Sequence, residues 1–87
     1  SLSLKEVPGR LASYLIYLAD EQNRDDSVTL KISKGQLASL LGTVPETLSR
    51  IFGKMTDQKL IKVSGRNISF LNYIGLEELA DHGKTLI

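Results

Sequence analysis

A chain of 87 residues, 41% hydrophobic and 24% charged with a net charge of +1, is long enough for one folded domain with a single modest core, and its composition excludes a disordered or fibrous chain. The absence of cysteine removes disulfide frameworks, thiolate metal sites and cysteine nucleophiles. Apolar runs of only a few residues exclude a bilayer-spanning helix, and with no basic-then-apolar leader the reading favours a cytoplasmic protein with no membrane partner.

Val7, Leu11, Leu15, Leu18 and Ala19 recur at three- and four-residue spacings, with Ala12 and Ile16 widening the stripe, and predict a helix from about Val7 to Glu21. Pro8 fits its first turn, where a missing N–H costs nothing. A polar loop over Gln22 to Ser27 follows, then a short strand in which Val28, Leu30 and Ile32 alternate with Thr29 and Lys31. Ser33 and Gln36 form a capping box before Leu37, Ala38, Leu40 and Leu41, and Gly42 suits the left-handed residue that closes this second, two-turn helix. After a turn of about three residues, Pro45 opens a third helix that fades around Gln58 to Lys59, with Leu48, Ile51, Phe52 and Met55 on one face. Leu60 to Val63 and Ile68 to Leu71 predict a two-stranded hairpin around Ser64, Gly65, Arg66 and Asn67. Asn72 caps a last helix through Leu76, Leu79 and Ala80, ending near Gly83.

Two helices joined by a tight turn and followed by a hairpin make an α+β, mainly α, winged helix-turn-helix with a small antiparallel β wing, a single domain over residues 1–87. The third helix, about residues 45–58, is its recognition helix. Opposite its core face stand Glu46, Ser49, Arg50 and Gly53 at helical spacing. Arg50 can donate two parallel hydrogen bonds to guanine, Glu46 can accept from the cytosine amine, and Ser49 can meet a base edge or a thymine methyl. An ordinary surface Glu–Arg pair is the simpler reading of the same residues, and the two are compatible. Gly53 weakens a well-specified helix, either to let backbone approach DNA or a neighbouring element, or as a tolerated surface defect. Arg66 at the hairpin tip is a candidate phosphate contact.

Charge is distributed unevenly. Residues 31–66 hold Lys31, Lys34, Arg50, Lys54, Lys59, Lys62 and Arg66 against only Glu46 and Asp57, between two mildly acidic flanks. A basic middle is what a polyanion-binding face requires, although from the charge alone solvated lysines on ordinary helix faces are the favoured reading.

The stretch ISKGQLASLLGTVPETLSRIFGKMTDQKLIKVSGR, Ile32 to Arg66, closely resembles the DNA-binding domain of the Crp/Fnr family of bacterial transcription regulators. VPGRLASYLIYLA is similar to the first helix of that domain and RNISFLN to its second wing strand. Ser49, where the Crp branch usually has glycine, makes the set more similar to the Fnr branch. The resemblance implies base reading by Glu46, Ser49 and Arg50 on a TTGA-like half-site, and backbone contacts by Ser33, Lys34, Thr47 and Arg66. Thr43, in the turn, and Lys54, beside the recognition face, are added as further phosphate-binding candidates. Val44 departs from the serine or threonine usual at its position. Without a hydroxyl it can neither cap nor touch phosphate with its side chain, and Thr43 is the alternative cap.

The resemblance further implies a C-terminal domain of a larger regulator. An effector-sensing domain and dimerisation helix would precede it, with Ser1 and Leu2 the end of that helix or an appended remnant. The partners implied are double-stranded DNA with a near-palindromic operator, a second copy in a homodimer, and RNA polymerase, in a nucleoid-associated cytoplasmic protein. No cofactor or metal belongs to this domain, and no catalytic residue is assigned: His82 reads as a helix-terminus residue, Glu77, Glu78 and Asp81 as a solvated face, and Tyr14 and Tyr17 as rim packing. The alternative function is a winged helix used for protein–protein interaction, which would place apolar residues on the recognition face.

Overall fold

The computed structural model describes residues 6–82 as α1 (Glu6–Glu21), β1 (Ser27–Thr29), α2 (Lys34–Leu41), α3 (Pro45–Asp57), β2 (Ile61–Ser64), β3 (Asn67–Phe70) and α4 (Tyr73–His82). This is the mainly helical winged helix-turn-helix expected. The readings of Ser1, Leu2 and Gly83 fall outside the described residues.

The α1 stripe faces inward as its periodicity requires. Leu11, Ala12 and Leu15 are fully buried, and α1 packs against α4, which contributes Leu76 and Leu79. Rim packing holds for Tyr14, which is partly buried against the core, and not for Tyr17, which is 60% exposed. In α2, Leu37, Ala38 and Leu41 are buried while Leu40 turns outward, because a two-turn helix presents only one narrow face to its neighbours.

All three helices that precede a turn close in the same way. The amides of Asn23, Gly42 and Lys59 donate to the carbonyls of Asp20, Ser39 and Thr56, and the amides that follow reach the carbonyls one residue earlier, those of Ala19, Ala38 and Met55. Each closing residue is left-handed, with φ of 58°, 79° and 61° respectively. This paired bonding satisfies carbonyls that a helix end leaves open.

The sheet differs from the expected two-stranded ribbon. Its order is β1-β3-β2, antiparallel throughout, with β3 central. Val28 lies opposite Ile68, and Ile68 opposite Val63, so the sheet's inner face continues into the core. The first strand is also shorter than Val28 to Ile32: after the Leu30 amide bonds to the Arg66 carbonyl at 2.8 Å, the chain leaves the sheet to reach the Ser33 cap. The outer edge of β1 is clipped by Gln22, whose side-chain amide donates to the Thr29 carbonyl at 2.8 Å and accepts from the Thr29 amide at 3.0 Å. A side chain thus imitates one more strand where an open edge would invite pairing.

The wing hairpin turns on two residues. Gly65, the first, has φ of 62° and Arg66 does not share it, the arrangement in which glycine fills the first turn position. Among the described residues no polar or charged side chain is buried, so any chemistry lies on the surface.

Candidate nucleic-acid interface

The helix-turn-helix is built by α2, the turn Gly42 to Val44, and α3. At the start of α2 the capping box is complete: the Ser33 hydroxyl oxygen accepts from the Gln36 amide at 3.1 Å, and the Gln36 side chain accepts from the Ser33 amide at 3.0 Å. Because the Ser33 oxygen serves as acceptor, its O–H proton remains free to donate outward.

The start of α3 is different. Val44 is extended and 56% exposed, and no side chain caps the helix. Thr43, expected as the alternative cap, does not take that role. It stands one residue too early, and its amide is committed to closing α2 on the Ala38 carbonyl at 2.8 Å. Pro45 carries no N–H, and among the described residues the amides of Glu46 and Thr47 have no partner. Donors at the positive end of a helix are thereby left open towards solvent.

Beyond that end, α3 divides cleanly. Leu48, Ile51, Phe52 and Met55 are buried, whereas Glu46, Ser49, Arg50, Gly53 and Lys54 are exposed. Arg50 and Glu46 meet at 3.9 Å while remaining 76% and 80% exposed. Such a solvated pair stabilises by only about 0.3–0.5 kcal/mol, so Arg50 stays beside Glu46 without being consumed. A Cβ at Gly53 would meet nothing within 4 Å, so no neighbouring element among the described residues needs the gap.

The remaining candidate residues are carried by the turn, by the first turn of α3 and by the wing. Thr47 and Thr43 are half-buried, and Arg66 is exposed at the wing tip, its backbone held through the Leu30 bond. Among the described residues no hydrogen bond or ion pair ties the side chains of Arg66, Thr43, Thr47, Ser49 or Lys54 to the rest of the chain. Two contacts escaped the sequence reading. The Thr29 hydroxyl donates across the sheet to the Asn67 side chain at 2.8 Å, bracing the turn end of the wing. The Lys34 ammonium lies 5.5 Å from the centroid of the Phe52 ring, linking the start of α2 to α3. Both join residues far apart in the chain, and no local pattern announces them. His82 ends α4 and is exposed, and no group of three His, Asp or Glu residues that could hold a metal exists among the described residues. No described helix is long and apolar enough to cross a membrane.

Residues 9–79 match the family of Crp-like helix-turn-helix domains. The chain is similar to the "Probable transcriptional regulator flp" of Lacticaseibacillus casei, 39% identical over 71 residues, which cover 82% of this chain and 32% of that protein. It is also similar to the fumarate and nitrate reduction regulatory protein of Vibrio cholerae, at 31% identity over 87 residues, covering 95% and 35% respectively. Among solved structures, DNR from Pseudomonas aeruginosa superposes with a TM-score of 0.75 at 35% identity, over 85% of this chain and 33% of that one. The chain spans about a third of the length of these relatives.

Proposed function

The chain belongs to the Crp-like helix-turn-helix domains of the Crp/Fnr family, and from that premise we propose that it binds double-stranded DNA sequence-specifically, with α3 in the major groove. The observation that carries this reading is the outer face of α3, where Glu46, Ser49 and Arg50 stand exposed, with Glu46 and Arg50 3.9 Å apart. In the groove Arg50 takes guanine, Glu46 takes the cytosine amine and Ser49 a neighbouring base edge, on a half-site of the TTGA type. Ser33, Lys34, Thr43, Thr47, Lys54 and Arg66 meet the phosphate backbone. The open amides of Glu46 and Thr47 support the same placement, since donors at a helix start suit phosphate oxygens.

The chain acts as the DNA-binding part of a longer regulator, in keeping with its span of about a third of its relatives. That regulator binds a near-palindrome as a homodimer, contacts RNA polymerase, and works in the cytoplasm on the nucleoid. Its effector is sensed outside this domain, which needs no cofactor and performs no catalysis. The protein-interaction alternative predicts apolar residues on the recognition face. Of the exposed apolar residues, Leu71 and Ile74 belong to the corner between β3 and α4, Leu40 to α2, and Val44 to the residue preceding α3, so none stands among Glu46, Ser49 and Arg50.

The test is fluorescence anisotropy with a TTGA palindrome and a scrambled duplex across a salt series. Tighter binding to the palindrome, reduced by about 1–3 kcal/mol in Arg50→Ala with little change on the scrambled duplex, is the expected result. Equal binding to both duplexes, unaffected by Arg50→Ala, would falsify base reading by α3.

A further inference from the structure

Lys34 opens α2, where the positive end of the helix dipole is unfavourable to a cation, and no acidic side chain stands in that first turn to compensate. Its ammonium lies instead over the Phe52 ring at 5.5 Å from the centroid. Phe52 belongs to α3 and is only 5% exposed, so its ring is held by the core and cannot swing to follow the lysine. The partial negative charge of the ring face attracts the ammonium without neutralising it. Lys34 is otherwise exposed, and the only ion pair among the described residues is Glu46–Arg50. The charge is therefore held in place and still unspent, since no acidic group among the described residues pairs with it. A long flexible side chain held in this way loses less rotamer entropy when it meets an anion.

We infer that Phe52 is a positioning residue for backbone binding: from the inner edge of α3, its ring holds the Lys34 ammonium at the start of α2 for a DNA phosphate. The inference rests on the DNA-binding reading above and deepens it. The helix that presents Glu46, Ser49 and Arg50 on one face also sets, through Phe52, where the neighbouring helix grips the backbone. Base reading and phosphate contact then share one rigid body, so a shift of α3 moves both together.

The test compares the 87-residue chain with Phe52→Leu, Phe52→Tyr, Lys34→Gln and the double variant Phe52→Leu/Lys34→Gln on a fluorescent duplex between 50 and 200 mM salt. Phe52→Leu keeps apolar bulk and removes the π face, whereas Phe52→Tyr keeps both. Lys34→Gln is expected to flatten the slope of log K against log salt by about 0.9, the value for one phosphate contact. Phe52→Leu is expected to weaken binding about two- to fivefold, Phe52→Tyr to restore it, and the double variant to bind no more weakly than Lys34→Gln alone. If Phe52→Leu weakens binding by the same factor whether or not Lys34 is present, the ring acts only through packing and the inference is overturned. A second readout needs no folded variant: proton NMR of the unaltered chain should show the Lys34 Cε protons shifted upfield by the ring, and an unshifted resonance overturns the inference independently. Failure of the unaltered chain to bind any duplex at low salt overturns the DNA reading and this inference with it, an outcome distinguished by the unaltered chain failing alongside its variants.

Discussion

Three left-handed residues close α1, α2 and α3 by the same pair of backbone bonds, yet they are asparagine, glycine and lysine. Glycine has no Cβ to clash in this conformation, asparagine is tolerated, and lysine bears a steric cost of about 1–2 kcal/mol. Lys59→Gly should therefore raise stability by about 1 kcal/mol, read as a higher denaturation midpoint with an unchanged m-value. An unchanged midpoint would mean that the Lys59 side chain already offsets its strain. Gly42 was recognisable because composition and conformation agree there. Lys59 was not, since nothing local distinguishes it from a helical lysine; its backbone is dictated by Leu60, which must be 5% exposed in the core immediately after α3 ends.

Glycines inside helices show how an element's surroundings decide the sign of a substitution. Gly53 and Gly75 both interrupt helices, where alanine normally stabilises by about 0.8–1 kcal/mol. At Gly53 a Cβ meets nothing within 4 Å, and Gly53→Ala should gain that amount. At Gly75 it would stand 2.7 Å from the Asn72 side-chain nitrogen and 2.8 Å from a Leu60 methyl. That nitrogen belongs to the amide whose oxygen caps α4 by accepting from the Gly75 N–H at 2.9 Å. Gly75→Ala should accordingly lose about 1–3 kcal/mol by overpacking Leu60 and displacing the cap. Thermal melts of the two variants should move in opposite directions, and movement in the same direction would contradict the packing described for α4. The helices themselves were legible, α1 and α3 almost to the residue, because their apolar spacing is a local signal. Strand β1 was legible as a strand and its partner was not: pairing with β3 joins Val28 to Ile68, and no turn connects them to set a register.

At the scale of the whole molecule, the proposed function makes the outer face of α3 a single reading head. Two such heads on a palindrome must lie about one helical turn, roughly 34 Å, apart. Joining two copies through an appended dimerising helix should raise affinity for the palindrome by about 10²–10⁴-fold over the single chain, through effective concentration rather than new contacts. Inserting five base pairs between the half-sites rotates one half-site to the opposite side of the duplex and should abolish the gain. A gain that survives the insertion would indicate binding without a defined register.

The sequence by itself determined the element order, the helix-turn-helix and the residues of the α3 outer face, because periodicity, capping residues and glycine at a turn act over a few positions and need no knowledge of the rest of the chain. It also displayed every candidate contact residue by type. Only the tertiary structure decided that the wing belongs to a three-stranded sheet, that Thr43 closes α2 instead of capping α3, and that Lys34 rests on Phe52. Each of these depends on which distant surfaces the core brings together, and burial is a property of the packed chain that no segment carries alone.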